Sequence, residues 1–187
     1  MTKLPHSTAL IVIDVQQAFV DARYGERNNP QAESNIARLL AAWRNSGRPI
    51  RHVVHDSVEP NSLLRPECPG NAIQPAAAPG AGEPVYRKNV NSVFIGTTLE
   101  GDLRREGVDT LVIVGLTTNH CVSTSARMAG NLGFETYVVS DATATFARPA
   151  LDGTVRPAEA VHSAALSDLH QEFATVVDTA EILKRSA

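Results

Sequence analysis

The sequence predicts an α/β fold in which helices cover a parallel sheet. Two observations carry this expectation. Near-continuous Val/Ile/Leu runs recur along the chain, and amphipathic helical patterns separate them. A parallel strand covered on both faces reads as an unbroken apolar run, and strand–helix alternation suits right-handed crossovers. At 187 residues the chain is long enough for one sizeable core and short for two, so a single domain over 1–187 is expected.

The elements follow in order. ALIVIDV (9–15) is the first strand. Ile36, Leu39, Leu40 and Trp43 then recur at i, i+3, i+4 and i+7, with Gly47 placed as a C-terminal cap. IRHVVHD (50–56) is the second strand. The proline- and glycine-rich stretch 57–84 is too long for an ordinary connection, so an ordered loop near the site or an oligomer contact is expected. PVYRK (84–88) is a short apolar run. In TTLEGDLRREG, Leu99 and Leu103 lie four apart, a threonine stands at the N-cap and Gly107 stops the helix. TLVIVGL (110–116) is a strand, Asn119 to Gly133 a helix, and TYVVSDA (136–142) another strand. A further helix starts near Pro157, and ATVVD (174–178) is a shorter strand candidate.

Composition narrows the function. Seventeen Lys and Arg against twenty Asp and Glu give a net charge of -3, with no basic cluster. That argues against nucleic acid or an anionic membrane as partner and leaves a small molecule. Cys68 and Cys121 form no CxxC pair and no disulfide framework, which fits a reducing compartment. The first apolar run is too short to span a membrane and lacks a signal-peptide layout, so a cytoplasmic protein is expected.

In open parallel sheets, ligands bind beyond the carboxyl ends of the strands. Those ends carry Asp14, His55-Asp56, Lys88, the loop to Cys121, and Asp141. A helix start and a nearby cation such as Lys88 would pull Cys121 well below the free-thiol pKa of about 8.5 and make thiolate the main species. Asp14 is placed to take the thiol proton and return it to a leaving amine. Taken singly, each has a blander role: Cys121 as a small buried hydrophobe, Asp14 as a helix cap, Lys88 as a solvated lysine. Their joint arrival at one rim is what points to chemistry. His120 is the neighbour of Cys121 in the chain, and adjacent residues on a helix point about 100° apart, so a lining or structural role suits it better than that of a thiol partner. His52 and His55 point to opposite faces of a strand, His162 and His170 are two helical turns apart, and no phosphate-cradling glycine motif occurs. No metal or other cofactor is expected.

The chain resembles the isochorismatase-like cysteine hydrolase superfamily over nearly its full length. The resemblance rests on ALIVIDVQQAF, HDS, GEPVYRKNVNSVF, the long stretch from TTLEGDL through LVIVGLTTNHCV to VVSDATATF, and VHSAALSDL. It implies a three-layer α/β/α sandwich around a mainly parallel six-stranded sheet. It also implies a triad of Asp14, Lys88 and Cys121, a cis peptide between Leu116 and Thr117, and an oxyanion hole from the N–H groups of Thr117 and Cys121. Homodimers or homotetramers are implied as well.

Two departures refine the expected substrate. Superfamily nicotinamidases begin a metal site with Asp-x-His after strand two, where this chain reads His55-Asp56-Ser57. Members that hydrolyse the isochorismate vinyl ether lack the nucleophilic cysteine, which is present here. A metal-free hydrolase of a small amide, carbamoyl or ureido compound, working through a thioester, is therefore expected. Phe19, His55, Phe94, Asn119 and His120 are the pocket candidates, and either Arg65 or Arg87 would meet a substrate carboxylate. The alternatives are a catalytically idle binding scaffold, a vinyl ether hydrolase, and a redox-sensing thiol paired with Cys68.

Overall fold

The computed structural model describes residues 2–187. Six parallel strands form the sheet: β1 (Ala9–Ile13), β2 (Ile50–His55), β3 (Val85–Lys88), β4 (Thr110–Leu116), β5 (Glu135–Ala144) and β8 (Thr175–Val177). Their spatial order is β3-β2-β1-β4-β5-β8, so β1 and β4 lie at the centre. A small antiparallel hairpin, β6 (Arg148–Pro149) and β7 (Val155–Arg156), follows β5. The helices are α1 (Ala32–Ser46), α2 (Leu99–Arg105), α3 (Ser123–Asn131), α4 (Ala158–Leu169) and α5 (Thr179–Ser186). This is the covered parallel sheet that the apolar runs predict and the α/β sandwich that the resemblance implies, and no helix among the described residues is long and apolar enough to cross a membrane.

The period of two along each strand divides the side chains between two cores. Ile11, Ile13, Leu111, Ile113 and Val138 pack with Leu99 and Leu103 of α2, Ala126 of α3, and Leu166 and Leu169 of α4. Leu10, Val12, Val112, Val114 and Val139 pack on the other face with Ile36, Leu39, Leu40 and Trp43 of α1 and Ile182 of α5. Both faces are covered, so the strands need no polar alternation. Gly47 ends α1 with φ +67°, as its position in the sequence predicts. Helix α5, which the sequence reading does not include, starts at Asp178, whose carboxylate accepts from the Glu181 N–H at 2.7 Å.

The 57–84 stretch is ordered by buried amides. Asn71 Nδ2 donates to the carbonyls of Leu64 (2.7 Å) and His55 (3.1 Å), and Gln74 Nε2 donates to the Gln16 carbonyl at 2.9 Å. The prolines Pro69 and Pro75 each open a short 3-10 turn. Of the two roles expected for this segment, the structure shows the first, because Leu64 reaches the cavity described below.

Gly115 joins the two central strands at the point where the site begins. It has φ +122°, and a Cβ there would stand 2.0 Å from the Ile13 carbonyl oxygen. The β4–β5 register also shifts between Ile113 and Gly115. Gly115→Ala is therefore expected to cost roughly 3 kcal/mol or more, from backbone strain and overpacking together. In a chain of this size that lowers the thermal midpoint by roughly 6–12 °C; an unchanged midpoint in a calorimetric scan would refute the account.

Candidate active site

The rim is assembled by the ends of four neighbouring strands, β3, β2, β1 and β4. Asp14 follows β1 with φ +49°, a left-handed conformation that aspartate tolerates better than most residues. Its N–H donates to the Val53 carbonyl at 2.9 Å, and its carbonyl accepts from the Gln16 N–H at 2.8 Å. The Gln16 side chain then ties this end to β2: Oε1 accepts from the His55 N–H (2.9 Å), and Nε2 donates to the His55 and Asn71 carbonyls (3.2 and 2.8 Å). Lys88 ends β3, in register with His55 at the end of β2. Cys121 arrives from β4 through a wide turn over Thr118–Val122, with the Val122 N–H on the Thr117 carbonyl at 3.3 Å. This π-helical turn continues directly into α3 at Ser123, so Cys121 lies in the first turn of one helical stretch, near where the sequence places a helix start. The Leu116–Thr117 peptide is cis, as the resemblance implies.

The structure brings Asp14, Lys88 and Cys121 into one cluster. Lys88 Nζ lies 2.7 Å from Asp14 Oδ2, 3.4 Å from Cys121 Sγ and 3.2 Å from His55 Nδ1. An ammonium has three protons to donate, and these are three acceptors. His55, expected from the sequence as a pocket residue, therefore has a second role as a partner of Lys88. Because its Nδ1 accepts, its other ring nitrogen carries the proton, and burial followed by the Lys88 charge pushes its pKa down. Asp14 and Lys88 are 1% and 3% exposed, a fully buried ion pair. Asp14 Oδ1 is also buried and has no hydrogen-bond partner among the described residues.

Asp14, His55 and Cys121 offer ligand atoms within 4.8 Å of one another, a donor set of the kind that binds metals. The Lys88 ammonium, in contact with all three residues, already supplies the positive charge there. These residues do not fit a second cation.

The electrostatics reverse one sequence expectation. Burial pushes the Cys121 thiol up to about 12, with the Asp14 charge adding to the effect and Lys88 only partly opposing it. Desolvation of the anion outweighs the lysine and the turn, which favours the thiol form of the cysteine. Burial likewise raises the Asp14 pKa above its ordinary value, with Lys88 working against it. Iodoacetamide labelling of Cys121 should then rise about tenfold per pH unit from neutral to beyond pH 9. A plateau below pH 8, followed by mass spectrometry with Cys68 as reference, would instead mark a resting thiolate.

The cluster opens into a cavity of about 510 Å³. Phe19, Tyr24 and Phe146 form one wall, with ring centroids 5.1–6.1 Å apart. Asn91, Thr117, Asn119, His120 and Thr145 supply its polar lining. Four of the five pocket candidates from the sequence, Phe19, His55, Asn119 and His120, do line it. Phe94 does not. It is buried against Phe134 at a centroid distance of 5.9 Å, because the turn after β3 directs Asn91 to the cavity and packs Val93 and Phe94 into the core under α2.

Both arginine candidates are also corrected. Arg87 is paired with Asp56 at 2.7 and 2.8 Å, and Arg65 is paired with Glu67 in the loop, so neither lines the cavity. Arg23 and Arg148 line it instead. Sequence reasoning missed them because neither lies at a strand end of the main sheet. Asp141 is likewise structural: its Oδ1 accepts from Thr179 N and Oγ1 (2.8 and 2.7 Å), and its Oδ2 accepts from Asn35 (3.1 Å). His162 is buried and lies 2.9 Å from Thr118 Oγ1, bracing the turn that carries Cys121.

Comparison with known proteins shows the family and the fold. Residues 8–181 match the isochorismatase domain family. An uncharacterised isochorismatase family protein of Bacillus subtilis, YrdC, is 47% identical over 175 residues, covering 94% of each chain. Streptothricin hydrolase of Streptomyces noursei is 34% identical over 185 residues, covering 96% of this chain and 63% of its own. The crystal structure of an isochorismatase-family protein from Chromobacterium violaceum superimposes with a TM-score of 0.96 at 44% identity, covering 100% of this chain and 96% of that one.

Proposed function

The chain belongs to the isochorismatase family of hydrolases, and from that premise we propose that it cleaves the C–N bond of a small amide, carbamoyl or ureido compound, with Cys121 as nucleophile. One observation carries the reading: a buried Lys88 ammonium touches both Asp14 and Cys121, while Asp14 Oδ1 is left without a partner at the floor of the cavity.

Asp14 Oδ1 takes the thiol proton as sulfur bonds to the substrate carbonyl carbon. Its raised pKa suits that task, since a less acidic carboxyl holds the proton until it is needed. Lys88 keeps the total charge of the cluster balanced while the proton moves. The carbonyl electron pair moves onto oxygen, where the backbone N–H groups of Thr117 and Cys121 receive it. Collapse breaks the C–N bond, and the departing nitrogen takes the proton from Asp14 and leaves as ammonia or an amine. Water then gives a proton to Asp14 as its oxygen bonds to the thioester carbon. The C–S bond breaks, the acid leaves, and Asp14 returns the proton to sulfur. The net reaction is amide plus water to acid plus amine, with no oxidant or external cofactor.

Ammonia release from a panel of small primary amides and ureido acids tests the reading. Release that depends on Cys121 supports it. Silence across the panel, with the protein folded, would favour an idle member of the same fold.

A further inference from the structure

His162 of α4 stands behind the turn that carries Cys121 and does not line the cavity. Its Nδ1 lies 2.9 Å from Thr118 Oγ1. Thr118 is fully buried, and His162 is the side-chain partner of its hydroxyl. A hydroxyl both gives and accepts, so the contact holds for either neutral tautomer of the ring. The far ring nitrogen, Nε2, stands 3.4 Å from Asn29 Nδ2.

Asn29 is itself fixed. It has φ +45°, and its Nδ2 donates to the carbonyls of Ser140 (2.9 Å) and Thr143 (2.8 Å), in the stretch of β5 where the β4–β5 register shifts. The next residue of the turn, Asn119, is tied to the same strand, because Thr145 Oγ1 donates to Asn119 Oδ1. Thr145 is held in turn by Asn28, whose Oδ1 accepts from the Thr145 N–H at 2.8 Å. Both anchored residues, Thr118 and Asn119, lie between Thr117 and Cys121. Apolar packing alone would fill the space behind the turn. A buried hydrogen bond also sets distance and direction, which apolar contact does not.

We infer that His162 is a positioning residue for the hydrolysis: acting through Thr118, it aims the Thr117 and Cys121 N–H groups at the oxyanion. Such donors work only where they already point to the place at which charge develops. A misplacement of about 1 Å at that point costs on the order of 10²-fold in rate. The inference rests on the hydrolase reading, because a turn that binds no oxyanion has nothing to aim.

Butanal tests it without a substrate. The Cys121 sulfur bonds to the aldehyde carbon, the C=O electron pair moves onto oxygen, and the thiol proton follows it. Nothing leaves, and the hemithioacetal presents its oxygen to the two N–H groups. Its dissociation constant is read from protection of Cys121 against iodoacetamide by peptide mass spectrometry. Cys68 serves as reference, and butanol controls for simple filling of the cavity. His162→Ala and Thr118→Val are each expected to weaken the adduct about tenfold. The double variant should be no weaker than His162→Ala, since both changes remove one contact. His162→Asn, whose amide reaches the position of Nδ1, should recover most of the wild-type constant. His162→Gln, whose amide reaches only that of Nε2, should not. Thr118→Val keeps the test decisive if His162→Ala does not fold. Constants equal to wild type in the folded variants, a loss in His162→Asn as large as in His162→Gln, or no adduct in the wild type would overturn positioning through Thr118. Ammonia release by the wild type judges the hydrolase reading separately, so release together with equal constants removes the role of His162 alone.

Discussion

Cys121→Ala is expected to lower ammonia release by about 10⁴-fold or more, the scale on which loss of a covalent nucleophile is felt. The thiol is half-buried, and its polar neighbours are Lys88, Asp14 and Asn91. Removing one sulfur leaves Lys88 its contacts with Asp14 and His55, so the variant should fold with a thermal midpoint close to wild type. The loss should therefore appear in kcat and not in stability. Acid quenching of the wild-type reaction should trap an acyl adduct on the peptide containing Cys121, and the alanine variant should show none. Turnover within tenfold of wild type in Cys121→Ala would remove the cysteine from the mechanism.

Lys88→Met is expected to destabilise the fold by about 3–5 kcal/mol, because it strands the Asp14 carboxylate in the core without a counter-charge. Asp14 is 1% exposed, and the Lys88 ammonium is its hydrogen-bond partner at 2.7 Å. The pH dependence follows from the direction of the Asp14 pKa. Burial already raises it above 3.8 even with Lys88 opposing, and without the lysine it rises further. A carboxyl whose folded pKa exceeds its unfolded value binds its proton more tightly when folded, so stability falls as pH rises through that interval. The deficit of Lys88→Met should thus be largest at neutral pH and shrink as the pH falls toward about 4. Urea titrations at pH 4.5, 5.5 and 7 would read it directly, and Asp14→Asn added to Lys88→Met should recover much of the loss. A deficit independent of pH would mean that the pair is not the source.

The sequence made the architecture legible because its signals are local. ALIVIDV, IRHVVHD, TLVIVGL and TYVVSDA are apolar in nearly every position, and only a strand covered on both sides has that requirement. Their ends are read directly from where the apolar run stops, so Asp14, Lys88 and Cys121 could be placed on one rim before any contact was known. Phe94 shows the limit. It lies six residues beyond Lys88, close to the site along the chain, yet the turn after β3 sends it into the core beside Phe134.

What the sequence by itself determined is the α/β class, the strands whose ends converge and the three residues that meet there. Only the tertiary structure decided the state of those residues. A cysteine near a turn and a lysine reads as a thiolate, but burial beside Asp14 favours the thiol, because desolvation depends on everything packed around the sulfur. His55 as a third partner of Lys88, the consumption of Arg87 by Asp56, and the arrival of His162 behind Thr118 are likewise decided by which side chains converge in space. Periodicity along a chain encodes which face of an element is buried; it does not encode which charges find each other across elements.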